Sequence, residues 1–209
     1  MYLKRIVLVL VLLGLIVGGF FAYKVYNAFF TPNTQFNNEK ATIFINSNDG
    51  YNDVKGYLEP LLKDISSFDA AATRKGYANN IKGGKYSLKE GMTNNDIINT
   101  LRSQNTPVKV SFNNQETVED LAGRIATQIE ADSISLLNAF TDKDFLNNGK
   151  FNDDSKLAMY IPNSYEFFWN TSAESFRTKM EKEYNRFWND ERLKKAKNLG
   201  LTPNQVITL

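Results

Sequence analysis

The sequence predicts an α+β fold that follows a single N-terminal transmembrane helix. An apolar segment opens the chain, and beyond it short alternating segments are each followed by a polar turn and a capped amphipathic helix. Hydrophobic residues make up 42% of the chain and aromatic residues 13%, which is enough to build a core. The length of 209 residues allows one or two domains.

The apolar segment, Ile6–Tyr23, has Lys4 and Arg5 before it and Lys24 after it. About 20 apolar residues cross a bilayer, and the positive end stays in the cytoplasm. A cleaved signal peptide is the alternative, but its apolar region usually spans ~7–15 residues before a small-residue cleavage site. We favour an uncleaved anchor over residues 1–24. This predicts a single-pass protein of the cytoplasmic (inner) membrane, with the bulk of the chain extracytoplasmic.

Composition limits the chemistry, because the sequence contains no Cys and no His. Disulfides, thiolate or imidazole metal sites and Ser-His-Asp triads are excluded, so any catalysis uses carboxylates, lysines, tyrosines or hydroxyls. Basic and acidic residues number 25 and 23, and three basic residues flank the apolar segment. The remainder is close to neutral, which argues against a polybasic nucleic-acid binder.

The first strand and helix follow a polar, Asn-rich segment, residues 25–40, which we predict to be a linker. Thr42–Ile45 then shows the alternation of a strand. Apolar residues recur at helical spacing in the helix that follows it, namely Val54, Tyr57, Leu58, Leu61 and Leu62. Pro60 is expected to end or kink this helix.

Two further strand and helix pairs come next. Lys85–Leu88 reads as a strand, and Thr93 with Asp96 resembles a capping box in front of a helix. The next strand alternates and the next helix has a continuous apolar face; these positions are Val108, Val110 and Phe112, then Val118, Leu121, Ile125 and Ile129. Thr117 and Asp120 repeat the cap.

The C-terminal half is predicted to be mainly helical. A helix with Ile134, Leu137 and Phe140 facing inward precedes a polar loop over residues 147–154. Thr171 and Glu174 form a capping box for a long helix. The inward positions of that helix are Phe176, Met180, Phe187 and Trp188. A short helix then runs over Asp190–Leu199, with Gly200 as its stop.

The last residues, LTPNQVITL, carry the start of one more helix. Thr202 can cap it, Pro203 suits its first position, and Gln205 completes a capping box. An isolated helix needs ~12–15 residues or tertiary packing to be stable. We therefore expect the native protein to continue past Leu209; the alternative is a brief terminal helix that docks on the fold.

An aromatic stretch, MYIPNSYEFFWNTS over residues 159–172, is either core or a platform for a sugar or peptide. Phe167 and Phe168 are adjacent and would face opposite sides of an extended chain, so both are expected to pack. The candidates for substrate contact are Tyr160, Asn163, Tyr165, Glu166 and Trp169. Asn163 also suits a turn.

Glu166 is the one carboxylate within that aromatic stretch. Flanking rings could desolvate it and raise its pKa, as a general acid requires. A supporting place in a substrate groove and a structural or solvated role are the alternatives. Because glutamate is common on protein surfaces, we favour the structural or solvated role over the catalytic role and the groove role.

The segment Gly83–Phe112 resembles the LysM-like segment of the MltG (YceG-like) endolytic murein transglycosylases. It has that segment's order of G-x-Y, a turn, M-T, a helix ending in Leu and a strand, at Gly84, Tyr86, Met92, Thr93 and Leu101. The family's P-[DN]-[ST]-Y block is matched by Pro162–Tyr165. The Glu-Gly pair that commonly precedes that block is absent.

The resemblance implies a domain plan and a catalytic residue. The plan is a LysM-like subdomain over 41–107 and the N-terminal part of the catalytic subdomain over 108–209. The LysM-like segment either holds glycan or only positions the catalytic subdomain, and Tyr86 is expected to be packed. In the family, a motif with the catalytic glutamate follows a segment like LTPNQVITL. That residue would lie beyond Leu209, so no catalytic residue is assigned within this chain.

Three functions follow as hypotheses. The resemblance implies a membrane-anchored endolytic transglycosylase that cleaves MurNAc-β-1,4-GlcNAc bonds to 1,6-anhydro ends. It needs no metal and no cofactor. A non-catalytic, membrane-anchored peptidoglycan-binding module is the alternative. A structural partner of wall-synthesis proteins is the third. Expected partners are glycan strands of peptidoglycan, the membrane and wall-synthesis proteins, with no nucleic acid.

Overall fold

The computed structural model describes residues 2–148 and 151–208. The chain divides into two compact units, Met1–Asn105 and Thr106–Leu209, here called the N-terminal and C-terminal units. Within the described residues each unit combines helices with one two-stranded antiparallel sheet, so the fold is α+β as the sequence predicts. The sequence placed its domain boundary at 107/108, and the roles assigned to the two parts remain predictions.

Helix α1, Tyr2–Phe30, opens the N-terminal unit. Its segment Lys4–Phe30 is long and apolar enough to cross a membrane, and none of its most apolar part is buried. The helix continues six residues past the predicted anchor, because no Gly or Pro interrupts residues 25–30. The predicted linker is therefore partly helical, and the orientation of α1 across a membrane stays a prediction.

The N-terminal unit then packs one antiparallel sheet against three helices. These elements are β1 Lys40–Ile45, α2 Tyr51–Leu58, α3 Ile65–Arg74, β2 Gly84–Lys89 and α4 Asn94–Ser103. Ile43 pairs with Tyr86 in the sheet, and Tyr86 is buried as expected. Helix α2 ends at Leu58, one residue before a 3₁₀ turn that contains Pro60. The Thr93 and Asp96 capping box is confirmed.

Gly84 shows why the second strand begins with glycine. Its φ is +147°, and a Cβ there would lie 2.5 Å from the Asn105 side chain. The Asn105 amide oxygen instead accepts a hydrogen bond of 3.0 Å from the Lys85 N–H. A side chain at position 84 would displace this contact.

The C-terminal unit joins one antiparallel sheet to a set of helices. Its elements are β3 Pro107–Phe112, α5 Val118–Ala126, α6 Ser133–Phe140, α7 Lys143–Asn148, β4 Asn163–Phe168, α8 Ala173–Phe187, α9 Asp190–Asn198 and α10 Pro203–Thr208. Val110 pairs with Tyr165 across the sheet. The core of this unit is aromatic, with Phe167 and Phe176 stacked at 4.6 Å between ring centroids. Thr117 caps α5 through the Asp120 N–H, as predicted.

Several local predictions for this unit are wrong. Ile134 is 71% exposed, and Leu136 and Ala139 take the buried face of α6 with Phe140. The cap of α8 is Ser172, whose hydroxyl accepts from the Ser175 N–H, so the predicted capping box lies one residue too early. Part of the predicted loop 147–154 belongs to α7, and its residues 149 and 150 lie outside the described residues.

Candidate functional site

The β3–β4 sheet separates the predicted site residues onto two faces. Paired residues of an antiparallel sheet share a face, and faces alternate along each strand. Val110 and Tyr165 are paired on the core side. Lys109 and Glu166 are paired on the opposite, exposed side. Tyr165 and Glu166 therefore cannot contact one ligand on the same face of this sheet.

A groove lies where β3 ends and β4 begins. Its inner part is a pocket of about 220 Å³, and its open part encloses about 760 Å³. Both parts share Phe112, Asn113, Gln115 and Pro162, so they are continuous. The loop that follows β3 forms one wall and the turn before β4 forms another. We call this site the Pro162 groove.

The inner part of the Pro162 groove has an apolar lining. Leu121 of α5 and Leu157 of the 3₁₀ turn before β4 contribute to it. Ile207 of α10 also lines it and packs against the C-terminal core. Helix α10 begins at a Thr202 cap, in which the Gln205 N–H donates to the Thr202 hydroxyl at 3.3 Å.

Polar side chains surround the apolar lining. Asn113, Asn114 and Gln115 supply carboxamides, and the Gln115 Nε2 donates to the Asn113 Oδ1 at 2.7 Å. Ser111 and Ser164 face each other with 2.7 Å between their hydroxyl oxygens. Such groups donate and accept hydrogen bonds without carrying charge.

One cation lies in the open part of the groove, and no acid accompanies it among the described lining residues. Arg124 projects from α5 and is exposed. Its guanidinium can bind a carboxylate with two parallel hydrogen bonds. The described residues that line the two parts of the groove include no Asp and no Glu. The described lining residues therefore offer uncharged hydrogen-bonding groups and one cation, and they include no carboxyl group.

Two of the predicted site residues lie at this groove. Asn163 is exposed at its rim, and its Oδ1 accepts from the Ser164 N–H at 2.7 Å. Tyr160 lines the inner part, but it is only 4% exposed. Its ring lies 4.5 Å from that of Phe140, and burial raises the pKa of its phenol well above the ordinary value. Tyr160 thus supports the wall from the core.

The other three candidates lie elsewhere. Tyr165 is half-buried, and its hydroxyl donates to the Ile161 carbonyl at 2.6 Å. Burial raises the pKa of Tyr165 to about 12, so the phenol stays protonated at neutral pH. Glu166 is exposed on the outer face of the sheet. Trp169 follows the far end of β4, and six residues of strand place it ~20 Å from Asn163.

Sequence reasoning missed the loop residues and Arg124. The run Asn113–Gln115 sits directly after an alternating strand, where a carboxamide cluster is a signal for polar recognition. Arg124 lies on the helix that the sequence placed correctly, beside its apolar face. Nothing local in the sequence shows that this helix faces the turn before β4.

The family profile of the YceG-like family matches residues 43–209. The match covers most of the chain, from within β1 onward, and includes β2, the β3–β4 sheet and the described residues of the Pro162 groove. The chain therefore belongs to the YceG-like family.

The solved structures offer a more distant comparison. A crystal structure of a yceG-like protein from Listeria monocytogenes aligns with a TM-score of 0.47 and 20% sequence identity. The alignment covers 81% of this chain and 62% of that chain. The chain thus spans less than two thirds of the length of that protein. No curated protein matches the sequence significantly.

Proposed function

We propose that this chain is part of a membrane-anchored endolytic murein transglycosylase, and that the Pro162 groove receives a glycan strand of peptidoglycan. The observation that carries the proposal is the position of the Pro162–Tyr165 block. The chain belongs to the YceG-like family, and its Pro162–Tyr165 block lies at the Pro162 groove. The wall of that groove also contains Ile207 of α10.

The groove suits a sugar whose ring is uncharged and whose substituents carry a carboxylate. Pyranose rings present apolar faces and hydroxyl edges, which match the Phe112 and Leu157 lining and the carboxamides of Asn113 and Gln115. MurNAc also carries a lactyl group and a stem peptide with carboxylates. We assign Arg124 to such a carboxylate, because a guanidinium binds it through two hydrogen bonds.

The reaction needs one carboxyl group and no water. The acid protonates the glycosidic oxygen between MurNAc and GlcNAc, and the C1–O4 bond breaks. The 6-hydroxyl of the same MurNAc bonds to C1 and gives its proton to the carboxylate. The products are a 1,6-anhydro end and a free GlcNAc 4-hydroxyl, and the acid is restored. This balance requires no metal and no cofactor.

The family resemblance implies that the acid belongs to the segment that follows one like LTPNQVITL. In this structure α10 contains that segment, and its Ile207 lies in the groove wall. A glutamate that follows α10 closely in the sequence would lie near the edge of the same groove. We propose that residue, outside this chain, as the acid, and we assign no catalytic role to Glu166 on the outer face of β4.

A non-catalytic peptidoglycan-binding module is the second candidate. The observation that favours it is the lining of the groove, whose described residues include no carboxylate. Under this alternative the groove binds glycan but releases no product. In either case we propose that the part after α1 lies outside the cytoplasm and that residues 41–107 form the LysM-like subdomain.

The deciding experiment compares the native gene product with this chain. The native protein is purified from a membrane fraction, its intact mass is compared with 23.8 kDa, and both proteins are incubated with purified peptidoglycan. We expect 1,6-anhydro products from the native protein and none from this chain. Sedimentation with peptidoglycan without any product would support the binding module. Absence of both products and binding would overturn both candidates.

The groove itself is tested with two variants of this chain. Arg124→Ala and Asn163→Ala should each weaken cosedimentation with peptidoglycan by about three- to tenfold, as expected for one lost polar contact of ~1 kcal/mol or more. Glu166→Gln is the control, because Glu166 lines neither part of the groove, and it should bind as the parent chain does. Equal binding by the parent, Arg124→Ala and Asn163→Ala would place the glycan site elsewhere.

A further inference from the structure

A second cleft lies beside the anchor helix, within the N-terminal unit. It encloses about 510 Å³ between α1, the segment that follows it and the start of α3. Phe20, Tyr23, Lys24 and Asn27 line it from α1. These positions are three or four residues apart, so they form one stripe along the helix. Lys63 and Ser67 line it from the other side.

The wall of this cleft is fixed by buried hydrogen bonds. The Asn94 Nδ2 donates to the Ala28 carbonyl of α1 at 2.7 Å, and the Asn33 Nδ2 donates to the Asn94 Oδ1 at 2.8 Å. The Asn33 Oδ1 in turn accepts from the Asp64 N–H at 2.9 Å. Both asparagines are buried. The end of α1 is therefore held against α3 and α4, and the cleft is formed in advance of any ligand.

The position of the cleft along α1 indicates what surrounds it. Arg5 and Lys24 are 19 residues apart, which is ~28 Å along a helix. This matches the ~30 Å hydrocarbon thickness of a bilayer. If α1 spans the membrane, Lys24 lies at the outer interface, and Phe20 lies one helical turn deeper. The cleft then runs from the acyl region into the headgroup region.

The charge in the cleft favours an anion. Lys24 and Lys63 contribute two ammonium groups, and the Lys24 Nζ lies 5.1 Å from the centre of the Phe20 ring. Asp64 is the acid in the lining. Its carboxylate accepts from the Ser66 and Ser67 N–H groups at 2.9 and 3.1 Å, so it is used as the cap of α3. The balance of charge over the cleft is positive.

We infer that this cleft binds an anionic phospholipid of the membrane that α1 spans, with its phosphate at Lys24 and Lys63 and an acyl chain along Phe20 and Tyr23. An apolar wall at the depth of the acyl chains and two cations at the depth of the headgroups fit both halves of one lipid molecule. The inference rests on the membrane insertion of α1, and it does not depend on the Pro162 groove or on any reaction there.

The test measures lipid binding to the full chain in mild detergent by native mass spectrometry. The probes are palmitoyl-oleoyl phosphatidylglycerol and the matching phosphatidylcholine. We expect the parent chain to retain phosphatidylglycerol at least about fivefold more tightly. Lys24→Gln with Lys63→Gln should reduce that affinity about tenfold or more, because each lysine near a lipid surface contributes ~1 kcal/mol. Lys194→Gln with Lys197→Gln, which removes two exposed charges of α9, is the matched control.

A second variant tests the cleft without changing its charge. Thr31 is exposed at its edge, so Thr31→Trp should fold and should also reduce phosphatidylglycerol binding. Equal affinity for both lipids, or unchanged binding in the Lys24 and Lys63 double variant, would overturn the proposal. Full competition by inorganic phosphate would also overturn it, since the site would then recognise a free anion. Carbonate extraction separates these outcomes from a failure of membrane insertion, because a chain that does not insert is released.

Discussion

At the scale of single residues, Asn33 and Asn94 have the strongest structural role outside the apolar core. They are buried polar side chains in the N-terminal unit, and their amides bond to one another and to the backbone. A buried amide without partners costs free energy, so both asparagines specify one arrangement of the surrounding segments. The Asn94 side chain donates to the carbonyl of Ala28, which couples the start of α4 to α1.

Asn94→Ala should lower the free energy of unfolding of the N-terminal unit by roughly 1–3 kcal/mol, since it removes the donor of the Ala28 carbonyl and one acceptor of the Asn33 amide, which keeps its bond to the Asp64 carbonyl. Thermal unfolding of the full chain in detergent, followed by circular dichroism, measures the change. Asn52→Ala on the exposed side of α2 is the control and should shift the midpoint little. An Asn94→Ala midpoint equal to that of the parent would contradict the role of this network.

The Asp142 carboxyl gives a prediction for the stability of the fold at low pH. Its Oδ2 accepts from the Arg177 Nη1 at 2.9 Å, and this bond, with the Phe145 N–H, lowers the pKa of its carboxyl. A lowered folded-state pKa means that stability is present above the unfolded pKa of ~3.9 and is lost as pH falls through the folded pKa. Asp142→Asn should therefore make the thermal unfolding midpoint depend less on pH below about 4, as measured by circular dichroism at a series of pH values. The same scan of Asp154→Asn, an exposed acid, should keep the parent's slope.

At the scale of helices and strands, the cap of α8 shows how a pattern can be right in kind and wrong in register. Thr171 and Glu174 have the spacing of a capping box, but the Thr171 hydroxyl donates to the Phe168 carbonyl at 2.6 Å. Ser172 instead caps the helix through the Ser175 N–H. Because the Thr171 hydroxyl is bonded within the turn at the end of β4, α8 starts one residue later than the pattern predicts.

Ser172→Ala should cost about 1 kcal/mol, the usual value of a lost N-cap. Thr171→Ala should cost less, because the carbonyl that it leaves is close to solvent and water can replace the bond. Urea denaturation of both variants, monitored by fluorescence of the two tryptophans in the C-terminal unit, compares them directly. If Thr171→Ala lowered the free energy of unfolding more than Ser172→Ala does, Thr171 would be the cap, as the sequence pattern predicts.

Most helices and strands were predictable because their signals are local. Alternation marks β3, capping boxes mark α4 and α10, and a glycine with φ of +72° ends α9 at Gly200. The buried face of α6 was not fully predictable from the sequence, because two stripes of apolar residues overlap on this helix. Leu136, Ala139 and Phe140 are buried, and Leu137 is partly buried against the same core as predicted. Ile134 has the helical spacing of Leu137 but is exposed, and only tertiary packing decides this.

At the scale of the whole molecule, the Pro162 groove combines residues that are distant in sequence. Asn113, Arg124, Pro162 and Ile207 come from four separate segments, and the pairing of β3 with β4 brings Asn113 and Pro162 together. Strand pairing across such a separation has no local signal. The sequence therefore identified the Pro-Asn-Ser-Tyr block but spread its candidate site over both faces and both ends of β4.

The connection between α1 and the rest of the N-terminal unit provides the last prediction. Residues 25–40 have the composition of a flexible linker, yet the Asn33 N–H donates to the Met92 carbonyl at 2.9 Å and the Gln35 N–H to the Leu61 carbonyl at 2.8 Å. Pro32 and Thr34 also form bridges with Thr93 and Leu62. Hydrogen exchange of the full chain should show these amides protected, because exchange requires that these bonds open.

Peptides over residues 31–36 should therefore exchange at least tenfold more slowly than unstructured chain, while the exposed Asn38 amide should exchange quickly and serve as the internal control. The Asn94→Ala variant should lose part of this protection, since the network that holds α1 is opened. Exchange of residues 31–36 at the rate of Asn38 would mean that the anchor is joined by a flexible tether. In that case the preformed cleft beside α1 would lose its basis as well.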